Sequence, residues 1–114
     1  MKQAIESYQQ HQMLGLNSKT LEQQIFARLC YQLSHCLAGD DEFARLQVMA
    51  DCRFFWVTLR ARLQDDEHPY PLELRQDLIS LADIVLHELL KDPQQADLSL
   101  VLAISQQLAD ALKA

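Results

Sequence analysis

Apolar residues recur at helical spacing in four stretches of this 114-residue chain, with turn-forming residues between them. Over about 18 to 37, Leu21, Ile25, Leu29, Leu33 and Cys36 line one face. Asn17 suits the cap before this run, and Gly39 suits a left-handed cap after it. Over about 42 to 64, begun by Asp40 or Asp41, the pattern gives two apolar stripes instead of one. Phe55, Val48, Leu59, Cys52, Leu63, Trp56 and Met49 form the first, and Leu46, Val57, Ala50, Phe43, Ala61 and Phe54 the second. Arg53 and Arg60 border the second stripe on one side, and Gln47, Thr58, Asp51 and Arg62 on the other. Such a helix must be sandwiched or must offer one stripe to a partner.

The next run, about 71 to 91, carries Leu74, Leu78, Leu81, Ala82, Val85 and Leu89, a face wider than an ordinary surface helix needs. Pro71 is placed to open it, because proline is tolerated at the first helical position. Asp92 followed by Pro93 and Gln95 resembles a capping box, which predicts a last helix running to the C-terminus. There Leu98, Val101, Leu102, Leu108, Ala109 and Leu112 share a face that Leu100 and Ile104 widen. Residues 1–13 offer only Ala4, Ile5 and Tyr8 on one face, so 1–16 read as a frayed or docking arm. The expected fold is all-α, a small bundle of four to five helices, with 1–114 as one domain. Two glycines and three prolines leave β-hairpins almost no turn residues.

Charge narrows the partners. Sixteen acidic against ten basic residues give a net charge of −6, which repels a phosphate backbone. Arg53, Arg60 and Arg62 form the only local basic cluster and read as a solvated strip, so no direct nucleic-acid or membrane partner is expected. Cys30, Cys36 and Cys52 lack the spacing of a zinc or redox site and read as free thiols in a reducing compartment. No signal peptide or membrane span is visible, and a cytoplasmic, soluble protein is expected.

The sequence shows no catalytic constellation. His87-Glu88-Leu89-Leu90-Lys91 begins like a zinc-protease motif but has Lys91 where the second histidine must stand. His35 and Cys36, adjacent on a helix, point about 100° apart. The acidic runs at 40–42 and 65–67 lack the alternating ligands of a calcium loop. The chain is therefore expected not to be an enzyme, with no catalytic residue, cofactor or metal.

Between the second and third runs lies a distinctive hinge. Arg53, Phe55 and Trp56, then Glu-His-Pro-Tyr-Pro-Leu-Glu-Leu-Arg-Gln-Asp-Leu over 67–78, resemble the flagellar biosynthesis regulator FlaF family. That family shows an Arg-x-Leu-Trp stretch, an Asn-Pro-Leu-Pro turn and an Arg-Gln-Asn-Ile helix start. Pro69, Pro71, Arg75 and Gln76 keep the pattern, while Ile104, Ser105 and Gln106 depart from an Ile-Asn-Arg core near the family's C-terminus. The resemblance implies a regulator that promotes flagellin synthesis and export, binding flagellin as a small acidic helical chaperone or adaptor and acting with an FlbT-like regulator. The alternative is an RNA-binding regulator of flagellin translation.

Trp56, Pro69, Pro71, Arg75 and Gln76 are expected to build the hinge, with Trp56 in the core and Arg75 and Gln76 reaching back to the loop. Phe54 and Val57 on the second stripe, with Leu100 and Ile104, are the candidate flagellin contacts. A monomer or a homodimer fits these features.

Overall fold

The structure, a computed structural model, describes residues 18–113, with side chains from 22 to 111. The arm expected over 1–16 lies outside the described residues. Four helices follow one another: α1 (Ser18–Ala38), α2 (Glu42–Leu63), α3 (Leu72–Leu89) and α4 (Leu98–Lys113). No strand occurs among the described residues, and the fold is all-α. The helices form two close pairs, α1 with α4 and α2 with α3; the α1–α2 and α3–α4 seams are slighter. No close backbone approach joins α1 to α3 or α2 to α4.

One stripe of α2 makes the centre of the core. Val48, Met49, Cys52, Trp56, Leu59 and Leu63 are buried there, and the Trp56 side chain is wholly enclosed. The Phe26 ring of α1 meets Trp56 edge-on with centroids 5.6 Å apart and Phe55 at 4.8 Å, a geometry the ring quadrupoles favour. Ala82, Val85 and Leu89 of α3 and Leu98, Val101, Ile104 and Ala109 of α4 complete the core.

The helix ends show where local rules prevailed and where tertiary bonds overrode them. Asp41 caps α2, its Oδ1 accepting from the Phe43 and Ala44 amides at 3.0 and 3.3 Å. Gly39 does not take the expected left-handed cap, since no described glycine has positive φ. Its amide donates to the Cys36 carbonyl at 3.2 Å, a tight 3₁₀-type closure that lets the chain restart two residues later. Pro71 occupies the N-cap of α3, with φ −56° and ψ 149°, one residue ahead of the position expected for it.

The last helix starts later than expected. A helix begun at Pro93 would need the Asp97 amide to donate to the Pro93 carbonyl, and both groups are engaged elsewhere. Arg45 of α2 donates to Pro93 O at 2.5 Å and to Ala96 O at 2.7 Å, while Glu88 Oε1 accepts from the Asp97 amide at 3.3 Å. Residues 92–96 close as a turn, with Gln95 and Ala96 amides on the Asp92 carbonyl. Asp97, not Asp92, then caps α4, accepting from the Leu100 amide at 3.1 Å.

In the hinge, the buried Arg75 guanidinium donates from Nε to Tyr70 O at 3.1 Å and from Nη1 to Leu63 O at 3.2 Å and Asp65 O at 3.0 Å. Leu63 ends α2, so Arg75 satisfies one of the carbonyls that every helix C-terminus leaves unpaired. Gln76 and Pro69 are exposed. The Gln76 side chain takes no part in bonding the loop, because one helical step from Arg75 turns it to solvent.

Arg75→Ala should lower unfolding free energy by about 2–3 kcal/mol in chemical denaturation, since it strips a charged donor from three carbonyls. Arg75→Lys should recover only part, because an ammonium cannot reproduce the planar fork. Trp56→Ala should cost on the order of 3 to 5 kcal/mol, and a loss under about 1 kcal/mol would remove Trp56 from the centre of the core.

Candidate functional site

The packing of α2 decides between its two stripes. With the Trp56 stripe turned inward, the other is left on the surface: Phe43 and Phe54 are 74% and 77% exposed, and Leu46 and Val57 are each 51% exposed. Ala50 and Ala61 on the same stripe are also exposed. This apolar ridge lies directly opposite the core.

The two borders of the ridge differ. On the α3 side, arginines clamp the helix pair: Arg53 donates to the Leu89 carbonyl at 3.2 Å, and Arg60 pairs with Asp83 at 2.6 Å. On the α1 side the slight α1–α2 seam leaves a groove of about 410 Å³. Ile25 and Leu29 of α1 and Phe55 and Leu59 of α2 line it, Phe54 stands at its wall, and Arg28 and Asp51 lie along its charged edge. A second hollow of about 230 Å³, beside His35, Cys36 and Ala44, continues the seam toward the α1–α2 turn.

The opposite end is closed by charge. Arg62 Nη1 stands 3.2 Å from Glu22 Oε1, and the Glu22 side chain is buried. Burial pushes the Glu22 carboxyl above its ordinary value, with the Arg62 charge pulling the other way. Burial and then the Glu22 charge push the Tyr70 hydroxyl up. His68 in the same loop accepts the Tyr70 amide at Nδ1, 3.2 Å away. Burial, then Arg62 and Arg75, hold it below the usual imidazole value.

Among the described residues no three His, Cys, Asp or Glu side chains gather to hold a metal ion. No disulfide joins Cys30, Cys36 and Cys52, and burial, then Asp51, pushes Cys52 up to about 12, far from a reactive thiolate. No described helix is long and apolar enough to cross a membrane.

Of the residues expected to offer contacts, Phe54 and Val57 share the ridge, and Leu100 is 39% exposed on α4, away from it. Ile104 does not belong to a contact surface: it is 8% exposed and part of the core. The reason is that α4 packs on α1 and also on α3, so an apolar arc too wide for one neighbour is covered by two. Sequence reasoning missed the α1 half of the groove and also Arg45, whose spacing with Arg53 and Arg60 along α2 was the available signal.

The profile of flagellar protein FlaF matches residues 4–112, which include all of the hinge, the ridge and the groove. The chain belongs to the FlaF family. No curated protein and no solved structure matches it. The FlaF hinge pattern thus has a structural reading in this chain: its arginine joins the end of α2 to the start of α3.

Glu22 gives this groove a pH signature. A carboxyl whose value is raised by folding favours the protonated native state, so stability is fully present below the ordinary glutamate value of about 4.3 and falls as pH rises through the raised one. Glu22→Gln should match the wild type in unfolding free energy near pH 4 and exceed it at pH 7. A variant less stable than wild type at pH 7 would mean that the Arg62 pair outweighs desolvation.

Proposed function

We propose that this protein binds flagellin and serves as a small chaperone or adaptor in flagellin synthesis and export. The observation that carries the reading is the apolar ridge of α2 running beside the open α1–α2 groove. An unassembled flagellin has apolar terminal helices, and helix-in-groove docking uses a surface of this kind, an apolar floor with charged edges. Membership of the FlaF family supports a flagellar role and the surface supports a helical partner.

The cations argue against RNA as the direct target. Among residues 22–111, six of the seven lysines and arginines are bonded within the fold: Arg45, Arg53, Arg60, Arg62, Arg75 and Lys91. Phosphate recognition needs such groups presented together on one face.

The test is copurification with flagellin. Phe54→Glu should lose flagellin with an unchanged melting temperature, and Leu100→Glu, on α4 away from the groove, should keep it. A folded Phe54→Glu that still retains flagellin would move the binding surface elsewhere. Submicromolar binding of a flagellin leader transcript at physiological salt would favour the RNA reading instead.

A further inference from the structure

An apolar groove can hold a helix without fixing which way the helix runs. Two opposite charges on the rim of the α1–α2 groove supply what the floor lacks. Arg28 stands on the α1 wall and Asp51 on the α2 wall, both exposed, and neither makes a hydrogen bond or ion pair among the described residues. Arg28 is the exception among the seven lysines and arginines of residues 22–111, since the other six are bonded within the fold. We infer that Arg28 and Asp51 set the direction of a helical partner in the groove. That partner is an amphipathic helix with an acidic side chain on the flank facing α1 and a basic one on the flank facing α2.

The placement of the two charges carries the inference. The short turn at 39–41 makes α1 and α2 antiparallel, and Glu22 with Arg62 marks the far end of the groove. From that end Arg28 lies six residues along α1 and Asp51 eleven along α2. At 1.5 Å per residue these are about 9 and about 16 Å, a stagger of about 7 Å. Side chains lean toward the N-terminus of their own helix, which takes Arg28 toward the closed end and Asp51 toward the turn. The two therefore diverge and stay unpaired although they border one groove.

On a bound helix, residues five apart are about 7.5 Å apart along the axis and about 140° apart around it. They bracket an apolar face and match the stagger of Arg28 and Asp51. Turning that helix end for end exchanges its flanks, setting the acid against Asp51 and the base against Arg28. The floor of Ile25, Leu29, Phe55 and Leu59 carries no charge to oppose the reversal, so the rim decides it. The inference deepens the helix-docking reading of this groove and rests on it.

A synthetic amphipathic helix of about 14 residues tests it on the full chain, with leucines at i, i+3, i+4 and i+7, a Glu on one flank and a Lys five residues away on the other. A spin label at the peptide's N-terminus broadens the amide resonances near it. Broadening should be confined to one end of the groove, at Glu22 or at Gln32, and exchanging the peptide's Glu and Lys should move it to the other end. The double variant Arg28→Glu with Asp51→Lys should invert both patterns at a wild-type melting temperature. The preference for one direction should be on the order of tenfold at low salt and should vanish near 1 M, where the screening length is about 3 Å. Broadening at both ends, or a direction that neither reversal changes, overturns the inference and leaves the groove a helix site. A peptide that does not bind overturns it together with helix docking in this groove, which retention of flagellin by Phe54→Glu would register independently.

Discussion

The Arg75 guanidinium is the group on which the rest of the arrangement turns. Helix C-termini leave carbonyls without partners, and a loop turning back into a second helix adds more. Arg75 joins three of them, from Leu63 at the end of α2, Asp65 within the loop and Tyr70 before α3, and does so while buried. With that angle set, α2 lies along α3, where Arg53 and Arg60, two turns apart, add bonds. Arg45 then carries the same edge onto the 92–96 turn, which delivers α4 to α1. The slight α1–α2 seam is what this scheme leaves, since each of its helices is committed mainly to another partner.

The same bonds explain the protein's electrostatic character. A net charge of −6 understates how acidic the surface is, because most of the described basic groups point into helix pairs or cap carbonyls. Arginine suits this work better than lysine, since its planar fork reaches two or three oxygens at once and keeps its charge when buried. The carboxylates are less engaged, and those that are buried serve geometry: Glu88 holds the Asp97 amide and Lys91, and Glu22 meets Arg62 where the groove ends.

The helical class, the four helix positions and the double stripe of α2 were legible in the residue pattern because each is a local periodicity. Which stripe faced inward needed more than periodicity, which gives angles around one axis and says nothing of where the neighbours stand. Trp56 could be placed in the core from its company of Leu59, Leu63 and Met49, whereas Ile104 could not, since that required knowing that α4 has a neighbour on each side. The start of α4 was misread for a related reason. Asp92-Pro93 is a sound local start, overridden by Arg45 from 48 residues earlier in the chain and by Glu88. Such long-range bonds from polar side chains leave no periodic trace.

What folding leaves undetermined is informative in its own right. An α2 with polar residues at positions 43, 46, 54 and 57 would build the same core, because the Trp56 stripe faces away from them and Arg53 and Arg60 bond to α3. Isolated exposed apolar residues are ordinary on protein surfaces, but a contiguous run confined to one narrow arc of a single helix is not. In water such a run lowers solubility and invites nonspecific association, so it is a burden on a free, solvated monomer. The burden disappears only when a surface of matching shape covers the ridge.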